Sequence, residues 1–360
     1  MLNMKHTFLF ATAVLLAACS HQDEADEQRP AVPLQLCSGI STTVTRAFDT
    51  TWESGNAIGV FTTEAGTSTL TRSGSQNDEN IGYQTSVEAD TYNQETSQYT
   101  YSAFTSVSPD KKIYMPVNGT SVDVYAYYPY TQSVTATTPL SINIPTTQTA
   151  ANQKTVDVLR AVKESTTEQP INIDYPSADL LFSHVMSKVI VYVKTGTGYS
   201  DSELTGSNIS SVQLTGQPTA ATFAPVTPIS NTPLSITAGS AAITMQEITD
   251  TSDPDYRTTY TYTPEGSQDA VTFSGIIHCY RAIILPNGTN NAATSGSERQ
   301  IKFRVGSLDY TYNITQTFKP GQQTVFTITL AAEQITVTAA ITDWTYNTIE
   351  PDKPLLPTQN

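Results

Sequence analysis

Basic residues are scarce in this chain. Eighteen Lys and Arg stand against 33 Asp and Glu, a formal net charge of −15. A surface of that sign carries no basic footprint for a phosphate backbone, which excludes nucleic acid as a partner. Cysteine is scarcer still, with Cys19, Cys37 and Cys279 the only three, and four His complete a set too sparse for a metal centre. His6 and His21 fall before any folded region, while His184 and His278 sit inside strand-like patterns, as structural histidines do. The sequence has no Gly-rich phosphate loop, no Gly-x-Ser-x-Gly elbow and no His-Glu-x-x-His. Nothing points to a catalytic pair of carboxylates either, and the Asp250, Asp253 and Asp255 cluster reads as a solvated loop rather than a cation site. Neither an enzyme, a cofactor nor a metal is expected. Charged residues make up only 14% of the chain, whereas Thr, Ser, Tyr and Val abound, a composition that packs on pleated surfaces and favours strands over helices.

Long apolar runs are absent except at the start. Lys5 and His6 precede an apolar run over 8–16 that is too short to span a bilayer as a stable helix, so residues 1–18 read as a signal peptide. Leu16, Ala17, Ala18 and Cys19 form a lipobox, in which the Cys19 thiol takes up lipid. The alternative is an ordinary secretory signal with Cys19 incidental. Lipidation makes the protein membrane-anchored, since each buried methylene contributes about 0.8 kcal/mol. Residues 20–30, SHQDEADEQRP, are too charged and too poor in apolar groups to form a core. The stretch resembles the acidic signal that sends lipoproteins to the outer face of an outer membrane, the alternative being a plain solvated tether.

Residues 32–47, VPLQLCSGISTTVTRA, organise the rest. Leu34, Leu36, Ile40 and Val44 fall on one side of a period-2 alternation, the pattern of a strand with one buried face. The run ends at Arg46, an isolated basic residue among Thr and Ser, and reads as a strand built to be removed. Cys37 lies within it, so a bridge to Cys279 would tether the strand. Buried free thiols are therefore expected, although an oxidising compartment permits pairing.

Further on, residues 57–61 form a short strand after a Ser54-Gly55-Asn56 turn, with Trp52 expected over the end of a core rather than as a sugar platform. Residues 121–130, SVDVYAYYPY, read as a strand, and 153–162 as the best helical or turn-like stretch. The sequence ADLLFSHVMSKVIVYVKT, 178–195, reads as one strand that becomes continuously apolar at its end. Later strands are expected at 209–214, 220–224, 234–237, 256–263, 270–274, 279–285, 301–306, 308–315 and 324–330, separated by Gly, Pro and Asn turns. Near the C-terminus Ile335, Val337, Ala339 and Ile341 alternate again, much as in the first strand. This stretch is either the last strand of its own domain or a strand donated to a neighbour. Pro351, Pro354 and Pro357 prevent regular pairing in the tail. Many short, turn-punctuated strands predict an all-β protein of two tandem β-sandwich domains. The expected order is signal 1–18, tether and removable strand 19–46, domains 47–176 and 177–345, and tail 346–360.

Five stretches, taken in order, resemble the Bacteroidetes fimbrillins, the type V pilins of the fimbrillin-A-like and Mfa-like kind. They are the lipobox ending at Cys19, Thr45-Arg46-Ala47 with TTWESGNAIGVF at 50–61, DLLFSHVMSKVIVYV at 179–193, FKPGQQTVFTITL at 318–330 and ITDW at 341–344. The resemblance implies transthyretin-like sandwiches and a lipoprotein precursor carried to the outer face of the outer membrane. It also implies an Arg-specific maturation protease that cuts between Arg46 and Ala47, with the mature form in a fimbrium. Partners would be other pilin subunits, in a homopolymer or mixed pilus, and a host or bacterial surface receptor in adhesion. Removing the first strand would leave unpaired backbone groups and an apolar groove, to be filled by β-strand addition. The short Pro-rich tail leaves a stalk, tip or anchor subunit open. Two other classes remain: an outer-surface glycan-binding lipoprotein using some of the 19 Tyr, and a surface hydrolase dependent on His184 or His278.

Overall fold

The computed structural model describes residues 30–40, 52–74, 76–85, 92–93, 98–99, 102–204, 209–263, 268–287, 299–306, 308–332 and 335–343. The first half contains β1 (Gln35–Ile40), β2 (Ala57–Glu64), β3 (Arg72–Ser73), β4 (Gln76–Asn77), β5 (Ile81–Thr85), β6 (Tyr92–Asn93), β7 (Gln98–Tyr99), β8 (Ser102–Ser106), β9 (Val122–Tyr128), β10 (Leu140–Asn143), α1 (Ala150–Val156), β11 (Leu159–Lys163) and β12 (Ser177–His184). Seven of these strands close a barrel in the order β1-β12-β11-β9-β2-β5-β8, and β8 returns to β1. The all-β class agrees with the sequence expectation, and β1 closes this lobe by pairing on both of its edges. The barrel interior holds Ile58, Val60, Val122, Val124, Leu180 and Phe182. β12 supplies its share through strict alternation, with Ala178, Leu180, Phe182 and His184 buried and the residues between them exposed. Gly59 in β2 is fixed by packing: a Cβ there would collide with the Tyr127 ring and the Asn80 side chain.

The second half contains β13 (Ser187–Thr195), α2 (Asp201–Leu204), β14 (Ile209–Gln217), β15 (Ala220–Phe223), β16 (Leu234–Ala238), β17 (Ala241–Thr244), β18 (Gln246–Ile248), β19 (Thr259–Tyr262), β20 (Val271–Ser274), β21 (Ile276–Ile284), β22 (Gln300–Val305), β23 (Leu308–Asn313), β24 (Gln322–Leu330) and β25 (Ile335–Asp343). A five-stranded sheet, β18-β21-β13-β24-β25, shares a core with a four-stranded sheet, β17-β14-β22-β23. Part of its other face is covered by the β19–β20 hairpin through Tyr260 and Phe273.

The stretch expected to form one strand over 178–195 is two. β12 presents one face to the barrel, whereas β13 is buried on both faces through Val193, and the chain bends at Val185 and Met186 to pass between sheets. β12, placed after the expected division at 176/177, ladders with β1 and β11 of the barrel. The segment between β9 and β11 also crosses that division: β10 pairs with β15, and α1 docks on β21. Its start is fixed by a capping box, with Thr149 accepting from the Asn152 amide and Asn152 accepting from the Thr149 amide. Gln148 satisfies both backbone groups of Ile283, donating to its carbonyl at 2.6 Å and accepting from its amide at 2.8 Å.

Asp253 and Asp255, expected in a solvated loop, are instead counter-charges. Arg281, 1% exposed, donates to Asp253 and Asp255, and Lys188 donates to both oxygens of Asp255. Buried cations of this kind must be paired, because an unpaired charge in the interior is far costlier than the ion pair. Burial alone pushes the Asp255 carboxyl up, but Lys188 and Arg281 outweigh it and hold it below its ordinary value. His184 bonds Asp157 through Nδ1, and His278 lies between Glu247 and the Leu204 carbonyl. Cys279 is buried and free.

Candidate functional site

The candidate site is the slot that β1 fills. On one side β1 runs parallel to β12, in register from Gln35↔Ser177 to Ile40↔Phe182. On the other it runs antiparallel to β8, with Leu36 opposite Phe104, Cys37 opposite Ala103 and Ser38 opposite Ser102. The slot extends past the N-terminal end of β1. There the Leu34 amide donates to the Ile113 carbonyl, the Met115 amide to the Val32 carbonyl, and the Gln35 amide to the Pro176 carbonyl. The opposite edge of this 113–115 strap is held by side chains: the Ile113 amide donates to the Tyr83 hydroxyl at 3.0 Å, and the Tyr114 amide to Ser73 Oγ at 2.8 Å. Burial pushes the Tyr83 phenol up to about 12.

Leu34 and Leu36 are 5% and 3% exposed, in one cluster with Trp52, Phe104, Ile113, Met115, Ala178, Leu180 and Phe182. The slot floor is thus apolar, and its two sides are rows of strand N–H and C=O groups. Chemically it recognises an extended segment: backbone hydrogen bonds along both edges and apolar side chains at alternate positions. Trp52 lies at its inner end. The indole meets Phe104 at 5.3 Å, Phe182 at 5.1 Å and Tyr128 at 5.6 Å between ring centroids, in each case edge to face. Residues 41–51 link Ile40, opposite Phe182, to Trp52, against Phe182.

Cys19, Val44, Arg46 and Ala47 lie outside the described residues. The structure places Leu34, Leu36 and Ile40 in the slot segment. Ile335, Val337, Ala339 and Ile341 fall in β25, opposite Leu330, Ile328, Phe326 and Thr324 of β24. β25 is the edge of its sheet, with Val337 and Ala339 half-buried and Ile341 48% exposed. Sequence reasoning missed the 113–115 strap and the partners of Trp52, because both join residues far apart in the chain and neither carries a periodic signal. Among the described residues, no group of three or more His, Cys, Asp or Glu comes together to hold a metal ion.

The fold and slot define an all-β protein whose barrel is completed by its own first strand. A family model described as fimbrillin-like matches residues 45–344, and the chain belongs to that family. It is 32% identical over 222 residues to the Bacteroides uniformis protein named "Putative fimbrium subunit Fim1C", covering 61% of this chain and 63% of that relative's length. Two solved structures share the fold. One is a "putative cell adhesion protein" from Bacteroides uniformis, at TM-score 0.58 and 21% identity, over 88% of this chain and 98% of the other. The second, with the same description, is from Bacteroides ovatus, at TM-score 0.56 and 17% identity, over 88% and 99%.

Proposed function

We propose that this protein is a structural subunit of a fimbrium that supports adhesion at the cell surface. In this reading it is made as a lipoprotein anchored through Cys19 and cut between Arg46 and Ala47. The cut frees β1, and the slot is then filled by β25 of another copy. The observation that carries the reading is the double pairing of β1. It is an internal strand on both edges, so its loss opens a closed barrel and bares two rows of backbone groups over an apolar floor. The link between β1 and the rest supports the cut. Arg46 is the sixth of the eleven residues 41–51, midway between two ends that both reach Phe182.

β25 supports the role of donor. It is laddered on one edge only, its apolar residues are less covered than Leu34 and Leu36, and its alternate positions repeat the sequence of the slot segment in kind. Self-complementation by β1 keeps subunits apart until they are cut. The test is Arg46→Ala. The variant is expected to fold and remain monomeric at the cell surface; if it assembles as the parent does, cleavage at this bond is not the trigger.

A further inference from the structure

Loss of β1 raises a mechanical question, because the slot must stay open long enough to receive a replacement. Its walls are β8 and β12, which have no ladder with each other. Each is held on its far side by a short ladder. β8 reaches β5 through Tyr83↔Ser106, Gln84↔Thr105 and Thr85↔Phe104, and β12 reaches β11 through Leu159↔His184 and Arg160↔Ser183, continued by the Val185 amide on the Val158 carbonyl. With the slot empty, these ladders tie each wall to its outer neighbour, but no ladder spans from one wall to the other to set their separation.

We infer that Trp52 is the clamp that holds the empty slot at the width of one strand. Its indole touches Phe104 of β8 on one wall and Phe182 of β12 on the other, with interplanar angles of 88° and 83°, and rests on Tyr128 of β9. Edge-to-face packing of this kind is directional, so it fixes separation as well as burying area. The residue is fully buried. It lies C-terminal to the Arg46–Ala47 bond, so it stays with the barrel when the first strand leaves. The same two phenylalanines stand opposite Leu36 and Ile40 in the β1 ladders, so the clamp grips the slot where an incoming strand must seat. Trp52 is therefore a positioning residue for strand exchange. The inference rests on the strand-release reading and adds what keeps the acceptor competent.

The test is amide hydrogen exchange on the full chain, uncut and after cutting at Arg46 by an Arg-specific protease, in the parent, Trp52→Leu and Trp52→Phe forms. In the cut parent, those amides of residues 102–106 and 177–184 that pair with β5 and β11 are expected to stay protected, while those that faced β1 exchange. In cut Trp52→Leu the former exchange about tenfold faster or more, as a local opening would give. A synthetic peptide of residues 32–41 should rebind cut Trp52→Leu more slowly by a similar factor, whereas Trp52→Phe restores both. Equal protection in cut parent and cut Trp52→Leu overturns the clamp. So does loss of protection throughout the uncut Trp52→Leu barrel, which would make Trp52 ordinary core. If the parent is not cut, or the released segment never leaves, the strand-release reading falls and the clamp with it.

Discussion

Ser38 stands opposite Leu180 in the parallel ladder between β1 and β12, and Leu180 is 1% exposed. Along the slot segment the alternate residues therefore run large, large, small, large: Leu34, Leu36, Ser38 and Ile40. In β25 the corresponding run is Ile335, Val337, Ala339 and Ile341. If β25 of another copy fills the slot in the same direction, Ala339 takes the ladder position of Ser38, opposite Leu180. Ala339→Leu should leave the uncut monomer nearly as stable as the parent, since that position is half-buried at a sheet edge. In the cut protein, overpacking against Leu180 should cost about 1–3 kcal/mol and suppress the oligomer ladder on a non-boiled gel. Normal assembly by this variant would reject the register.

Leu36 lies between Ala178 and Phe104, one on each side. Leu36→Ala should lower the unfolding free energy of the uncut chain by about 2–5 kcal/mol. It should change nothing once the segment has been cut and removed. Denaturant titration of both forms measures the difference.

High pH should loosen the strap that holds residues 32–34. Burial pushes the Tyr83 phenol from its ordinary value near 10 in the unfolded chain up to about 12 in the folded one. Between those values the unfolded state binds fewer protons than the native state, so stability falls as pH rises from 10. Tyr128, raised to about 12 by burial, adds to the same slope. Tyr83→Phe should flatten part of this alkaline loss while weakening the hold on the Ile113 amide. Equilibrium unfolding between pH 9 and 12 checks both effects.

The Arg281 network predicts a large penalty away from the slot. Arg281→Leu removes the partner of Asp253 and one of the two cations on Asp255, and should cost about 3–5 kcal/mol. The Asp255 carboxyl is held below 3.8, so its share of stability is present above that value and disappears as pH falls through the folded-state value. Acid unfolding should accordingly begin at higher pH in the variant.

Much of this architecture was legible in the chain. Strict alternation marked β12, β25 and the buried leucines of the slot segment, because a strand with one wet face writes its environment at every second residue. β13 was visible as an apolar run, but its separation from β12 was not: a strand buried on both faces and one buried on a single face merge where Val185 and Met186 join them. The pairing of β10 with β15 and the contact of α1 with β21 carry no local signal, because those partners come much later in the chain. Asp253 and Asp255 read as solvated for the same reason, since their cations are Arg281 and Lys188. The slot itself was inferred from one strand, while its walls, its strap and Trp52 emerge only from long-range contacts.

The most direct measurement is N-terminal sequencing of the surface-assembled protein, run beside a non-boiled gel. Strand removal predicts a chain beginning at Ala47 together with a ladder that collapses on heating. A chain that begins at a lipidated Cys19 and runs as a single monomer band would contradict it, because β1 would then still occupy its slot.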